Sequence, residues 1–477
     1  MINIITKDPE RYNESFVTAR AGTLQLWQGR FRYSGRLTER LSASFTGGYH
    51  EYEGASGAND FHEISKLSGR VKYRFSDDSV LHFFTILGKA ERGIPLSVFT
   101  PSIDSEGDYD HQALRWEKTI SRTSRFHLQV FRKYYDIDSD ELDTEEQEYG
   151  VELQHSFSPG TGHQLVWGLH YYRVYVDSSY LRPTTDHDNT FSCFLQDEFR
   201  LSDTLKFIAG LNFENNSFTG SSLSPRACLL YELYPGHHLR FSFARAFQTP
   251  SFAKDSLLLT KELPSPLPPI TAAALVGNRG LDTEDMIAYE LGYRTVLFDR
   301  LGLNVELYYN DIDDVVTEVL DHRFMWPLRI TWDNVYNAIA KGVEVAVDLP
   351  VTSWWKLHVN YTYQEVEKKR DNRDVPGTPR HKINLSSSVT FENGFSFDVR
   401  AHYVDDTTWR PVLGEPVRVD DYVRLDIRIA QKLLNDRLEL ALVGQNLTDK
   451  THPETSDGTA TYNAHKLIYG QVTWHFK

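Results

Sequence analysis

The side chains with which this 477-residue chain could do metal or nucleophilic chemistry are 18 histidines, two cysteines and one dense acidic run. That run, Asp136-Ile137-Asp138-Ser139-Asp140-Glu141-Leu142-Asp143, imitates the alternate-carboxylate opening of a calcium loop, with Asp136, Asp138 and Asp140 as candidate ligands. The imitation is incomplete, because Leu142 stands near where a sharp turn needs glycine and no bidentate glutamate follows at the loop's end. A solvated external loop is the better reading. The histidines show no metal-ligand spacing: His237-His238 falls in a tight turn, and His358 and His402 alternate with apolar residues as lumen positions would. No cofactor is therefore expected. No nucleophile, histidine and carboxylate stand together in a recognisable order, and no glycine-rich phosphate loop is present, so the chain does not read as an enzyme. Trp326 and Trp409, in long polar links, read as interfacial aromatics, with flat faces on which a ligand could stack as the alternative. The link 249–283, with Pro264, Pro266, Pro268 and Pro269, is too long for a plain connector and is the place to seek ligand contact or gating.

Positioning such residues requires a scaffold, and composition narrows the choice. A formal charge of -15 with no block of Lys or Arg argues against a nucleic-acid partner. No run approaches the ~18 apolar residues of a membrane-spanning helix. Two cysteines, Cys193 and Cys228, make no disulfide framework, and they fall on strands that are not neighbours, the tenth and the twelfth. The length alone suggests about three domains unless one large β structure uses it all.

Periodicity decides for the β structure. Trp355, Leu357, Val359, Tyr361 and Tyr363 alternate with Lys356, His358, Asn360 and Thr362, and Val423, Leu425, Ile427 and Ile429 alternate with Arg424, Asp426 and Arg428. Leu303 to Tyr309 and Leu205 to Phe213 do the same, so each segment has one apolar and one wet face. No amphipathic helix is convincing. The runs last about 10 to 14 residues, beyond the five or six of an ordinary strand and enough for a tilted strand to cross a bilayer. Connections sort by length. Tight turns occur at Ser76-Asp77-Asp78, Ser202-Asp203, Pro235-Gly236, Asp299-Arg300, Pro350-Val351-Thr352, Asn393-Gly394 and Asn435-Asp436. Long polar links occupy 92–110, 249–283, 317–331, 367–379, 406–420 and 448–464. The expected fold is all-β, a 22-stranded antiparallel transmembrane β-barrel with short periplasmic turns and long extracellular loops. Closure satisfies every backbone group in hydrocarbon, and a wide polar lumen explains a mean hydropathy of -0.45. Nine Trp, 26 Tyr and 27 Phe supply two interfacial girdles. The last apolar face, Ile468, Gly470, Val472, Trp474 and Phe476, ends in an aromatic, as a strand presented to barrel-assembly machinery does.

Several segments carry a family resemblance. Gly277-Asn278-Arg279-Gly280-Leu281-Asp282-Thr283-Glu284 leads to Tyr289-Glu290-Leu291-Gly292-Tyr293-Arg294, and the preceding strand ends Arg245-Ala246-Phe247-Gln248-Thr249-Pro250-Ser251. Tyr308-Tyr309-Asn310-Asp311-Ile312-Asp313-Asp314, Lys341-Gly342-Val343-Glu344, Leu195-Gln196-Asp197-Glu198, Ser224-Pro225-Arg226 and Asn446-Leu447-Thr448-Asp449-Lys450 follow in a shared order. Together they resemble the barrel of TonB-dependent outer-membrane receptors. The family-motif positions Arg245, Phe247, Pro250, Asn278, Leu281, Glu284, Tyr289, Glu290, Gly292, Tyr293, Asn310, Gly342, Glu344, Asn446 and Phe476 are expected to be structural. So are Asp311, Asp313 and Asp314. The resemblance implies a bacterial outer-membrane location, lipid and lipopolysaccharide surroundings, the assembly machinery as a partner, and uptake of a small iron or cobalt chelate such as a ferric siderophore. Ile2-Asn3-Ile4-Ile5-Thr6-Lys7 resembles the last strand of that family's plug, so residues 1–11 are expected to be a plug remnant and linker and 12–477 the barrel. The start has no basic or apolar leader region. Signal peptide, TonB box and plug are expected to lie outside this chain, through an internal start or a broken gene, and TonB would act only through that plug. A passive large-bore pore and a surface adhesin are the alternative functions.

Overall fold

The computed structural model describes residues 7–54, 59–94, 103–139, 143–182, 187–262, 272–321, 328–410, 415–448, 453–456, 461–463 and 465–476. Backbone pairing organises nearly all of them. Among the described residues 24 strands share one sheet. Two of these, Leu258–Glu262 and Ala272–Val276, belong to the long link 249–283; the other 22 form a closed antiparallel barrel, each strand beside its neighbour in sequence. The first strand, Ser15–Gly22, closes on the last, Leu467–Phe476, with Ser15 opposite Phe476 and Gly22 opposite Tyr469. Side chains seal the seam: the Thr18 and Thr473 hydroxyls are 3.0 Å apart, and Arg20 Nε donates to Gln471 Oε1 at 2.7 Å. A sheet without an edge has no unpaired ladder to expose to lipid.

The alternation read from sequence becomes rows around the wall. Leu195, Leu211 and Pro225 lie opposite one another on three adjacent strands, and Gln196, Gly210 and Arg226 form the row behind them. Outward apolar side chains stay largely uncovered by this chain: Leu195 is 54% exposed and Leu442 56%. The inward rows carry charges such as Arg226, Arg240, Glu290 and Glu306. At one end the strands join through the tight turns expected, where positive φ angles at Leu434, Asn435 and Asp436 and at Gly394 make the reversal. A Cβ on Gly394 would stand 2.9 Å from the Lys432 carbonyl oxygen, so this turn needs glycine for space as well as φ.

At the long-link end the strands reach further than the alternation indicates. Ser124–Ser139 and Thr144–Phe157 leave only four residues between them, so Asp136 and Asp138 are strand residues and not, as expected, part of an external loop; Asp140 lies outside the described residues. Strands also enter the links 92–110 and 317–331, running to Ile94 and from Ile103, and to Leu320 and from Leu328. The cause is physical. Above the apolar belt both faces are wet, so alternation fades while backbone pairing continues. Small hairpins appear in two other links, Thr407–Trp409 with Val417–Val419 and Pro453–Ser456 with Thr461–Asn463. One helix was not foreseen: Phe252–Ser256, capped by Ser251, whose hydroxyl accepts from Lys254 N. Cys193 and Cys228 are free, on the tenth and twelfth barrel strands, in opposite-facing rows.

Before the first strand, residues 8–12 turn back against the inner wall at the tight-turn end. Arg11 N and Tyr12 N donate to the Asp8 carbonyl. Glu10 meets Arg36 at 2.7 Å, Lys72 at 2.8 Å and Arg74 at 2.9 Å, and Asp8 meets Lys72 at 2.8 Å. The Lys72 hydrogen bond holds the Glu10 carboxyl below its ordinary range against a smaller opposing effect of burial; at Asp8 burial pulls upward, and Lys72 with the Glu10 amide outweighs it.

Candidate functional site at the mouth and in the lumen

The long link 249–283 is built into the mouth by the motif residues at its own C-terminal end. Its hairpin extends the wall, Ala272–Val276 lying parallel to the strand Leu328–Pro350 through Val276 opposite Thr331. Asn278 ties the return: its Nδ2 donates to the Trp332 carbonyl at 3.0 Å, its Oδ1 accepts from Gly280 N at 2.9 Å, and its own N–H reaches Lys254 O at 2.8 Å. Gly277 sits where a Cβ would fall 2.6 Å from Asp255 C and Ser256 N, so only glycine lets helix and hairpin meet. Arg182 joins a third link, donating through Nη2 to Gly277 O at 3.0 Å. Leu281, Pro250, Ala274 and Ile330 are buried beneath.

A bulge in the neighbouring strand Leu301–Leu320, between Ile312 and Val316, is held by the same motif. Glu284 Oε1 accepts from Val316 N at 2.7 Å, while Asn334 Nδ2 donates to Asp314 O at 2.7 Å and its Oδ1 accepts from Asp282 N at 3.0 Å. Asp314 has φ 59, a conformation that a short polar side chain tolerates. Asp313 accepts from Lys369 Nζ at 2.7 Å, and Asp311 pairs with the same ammonium. Burial lowers the Lys369 pKa, but the two carboxylates outweigh it and the net shift is upward.

Lower down, the run Tyr289 to Arg294 divides by strand geometry. Tyr289, Leu291 and Tyr293 share the outward rows with Phe243, Phe241 and Leu239, whereas Glu290 and Gly292 face the lumen. There Arg240 Nη2 bridges Glu290 at 2.9 Å and Glu306 at 3.0 Å, and Ser242 Oγ donates to Glu290 at 2.9 Å. A Cβ on Gly292 would stand 2.5 Å from Glu306 Oε2, and one on Gly342 2.3 Å from Tyr363 O. Asn310 and Glu344 lie on the same inward rows, in the strands that carry Glu306 and Gly342. His358 pairs with Asp348 at 2.7 Å and His402 with Asn384, both inward as expected. His237 begins a strand and contacts Tyr293 Oη at 2.7 Å.

The remaining expected residues are placed as follows. Arg245 binds Asp285 at 3.0 Å, beside Phe247 opposite Asp285, and Asn446 is buried with its N–H on Asp426 Oδ1 at 2.8 Å. Phe476 ends the seam. Trp409 packs on Gly377, whose Cβ would come 3.1 Å from the indole, so this ring joins two links at the mouth. Trp326 lies outside the described residues. No group of three or more His, Cys, Asp or Glu positioned for a metal occurs among the described residues. Asn334 and Arg182 are the anchors that the sequence did not single out. Each acts on backbone far away in the chain, which no local pattern records.

The family profile described as TonB dependent receptor-like, beta-barrel matches residues 8–447. The chain belongs to this family. The ferric enterobactin receptor of Pseudomonas aeruginosa is 26% identical over 215 residues, covering 43% of this chain and 29% of that protein. The iron-regulated outer membrane virulence protein of Vibrio cholerae is 24% identical over 207 residues, covering 41% of this chain and 30% of that protein. The matched stretches are thus under a third of these relatives' length. Among solved structures, the siderophore receptor PirA of Pseudomonas aeruginosa superposes with TM-score 0.80 at 17% identity, over 100% of this chain and 82% of that one. The ferric-catecholate import receptor Fiu of Escherichia coli K12 gives 0.80 at 14%, over 99% and 83%. These structural likenesses concern the fold. Family and barrel together imply the outer membrane, with the tight turns periplasmic and the long links extracellular.

Proposed function

We propose that this TonB-dependent-receptor barrel serves the uptake of a ferric siderophore across the outer membrane. The observation that carries the reading is the family match over residues 8–447, together with relatives named as ferric enterobactin receptors. The anchored extracellular cap around Gly277, Asn278 and Arg182 is consistent with a mouth that presents loops to a chelate, and Trp326 and Trp409 are proposed contacts. Residues 1–11 are proposed to continue a plug that occupies the lumen and receives TonB, with 12–477 as barrel; Asp8 and Glu10 would hold that junction to the wall. Lipopolysaccharide and lipid surround the outward rows, and the assembly machinery takes the strand ending at Phe476. The test is binding of ferric enterobactin to the purified chain, and iron-55 uptake by receptor-deficient cells expressing it with a plug. Saturable binding at micromolar chelate or better is expected. Absence of binding, with a large ungated conductance in planar bilayers that a plug does not reduce, would refute uptake and leave a pore.

A further inference from the structure

On the outward face, one boundary runs level across adjacent strands towards the extracellular end. The last apolar row is Leu114, Val130, Val151, Tyr171 and Phe191, each opposite the next. Two residues further along each strand, the row reads Gln112, Arg132, Tyr149, Arg173 and Asn189. Arg173 lies on the strand His163–Ser178, which begins at the periplasmic end. At about 3.4 Å per residue and a tilt of about 40°, it stands about 26 Å above His163, at the upper edge of an apolar band about 25 Å tall. This polar row is therefore level with the headgroups of the outer leaflet.

Arg173 is the unmatched charge of that row. Arg132 is held by Asp110, and the other outward cations Lys89, Arg245 and Lys341 have Glu106, Asp285 and Glu365. Arg173 pairs with no carboxylate among the described residues; it is half-buried, lies 4.6 Å over the Tyr175 ring, and its Nε has no acceptor. Its outward neighbours Tyr149, Tyr171, Tyr175 and Asn189 offer hydroxyls and an amide. Tyr171 Oη donates to Asn189 Oδ1 at 3.0 Å, which uses the acceptor of that amide and leaves Nδ2 to donate. The carboxylates Glu145 and Asp177 face each other four residues further out, about 14 Å away, and with Asp136 and Asp108 they bar an anion from sitting higher. An anion is thus drawn to the level of Arg173.

We propose that Arg173 centres a site on the outer wall for the phosphate monoester of an acylated glycolipid in the outer leaflet. The acyl chains lie along the apolar rows beneath, the phosphate meets the guanidinium with donors from Tyr149 and Asn189, and the sugar faces the tyrosine rings. A phosphate monoester carries close to two charges at neutral pH, so it gains more from one guanidinium than a phosphodiester does. The site rests on the reading that lipid surrounds the outward rows and gives that contact a place. It does not depend on what the barrel imports.

The test is native mass spectrometry of the full 477-residue chain, released from detergent micelles that hold diphosphoryl lipid A, dephosphorylated lipid A or phosphatidylglycerol. The chain is expected to retain one diphosphoryl lipid A and to favour it at least about fivefold over either of the others. Arg173→Gln should remove the preference. Arg173→Lys, which keeps the charge without the fork, should keep part of it. Lys382→Gln, on the inward row of the strand His381–Thr390, should leave it whole. Heat-modifiable gel mobility certifies folding, and the lipid comparison on the unaltered chain stands even if a variant fails to fold. Equal retention of the three lipids, or a preference that survives Arg173→Gln, would overturn the site while leaving the barrel reading intact. Failure of the chain to insert into vesicles at all would overturn the lipid-facing reading and the site with it.

Discussion

Replacing Leu211 by arginine tests the assignment of faces on which the barrel reading stands. Leu211 is the seventh residue of the strand Leu205–Asn216 and is 46% exposed. With a rise of about 3.4 Å per residue and a tilt of about 40°, it stands about 15 Å above the strand's periplasmic end, inside an apolar band about 25 Å tall. Its row neighbours, Leu195 and Pro225, offer no counter-ion. Arginine at the bilayer midplane of a barrel costs about 2 to 4 kcal/mol, or about 30- to 1000-fold in the folding equilibrium. The adjacent Asn212 faces the lumen beside Phe194 and Ser224, so Asn212→Arg should change stability by no more than about 0.5 kcal/mol. The assay is urea unfolding from phospholipid vesicles, read by tryptophan fluorescence and by the gel shift of the folded barrel. Equal costs for the two variants, or a larger cost at 212, would refute the register and with it the membrane-facing rows.

Three further outcomes are expected. Gly277→Ala forces a Cβ against the Asp255–Ser256 backbone; it should loosen the cap by about 1 to 3 kcal/mol, seen as faster proteolysis within 249–283, with urea unfolding of the barrel unchanged. Asn334→Ala frees Asp282 N and Asp314 O and should speed amide exchange at Asp282 and Val316 while leaving the periplasmic half protected. Glu10 has a folded-state pKa below 4.5, so its contribution to the junction is complete above that value and is lost as pH falls through the depressed one. Exchange at the Arg11 and Tyr12 amides, taken relative to Glu10→Gln at each pH, should be slower near neutrality and converge with that variant under acid. A ratio independent of pH would remove Glu10 from the latch.

The alternation of Leu205 to Phe213 or of Val423 to Ile429 determined a great deal by itself, because a strand's period of two sorts residues to opposite faces whatever its neighbours are. Strand count, antiparallel order, the tight turns at Asn393-Gly394 and Asn435-Asp436 and the inward histidines followed from that local rule, and the motif around Gly277 and Tyr289 was legible as a family mark. Its reason was not. Only the tertiary structure brought Asn278 to Trp332 and Asn334 to Asp282 and Asp314, so that a run of conspicuous residues became the fastening of an extracellular cap. The same holds for Asp136 and Asp138, whose acidity looked like a loop and whose backbone continues a ladder above the membrane. Nor did the order of residues announce that Arg30 and Arg32 lie on one side of the strand Leu41–Tyr52 and Lys66 and Arg70 on the other. Period-two patterning acts between residues two apart, whereas these groupings depend on which strand lies beside which, and on how far each pairing extends beyond the lipid; that is decided only when the sheet closes.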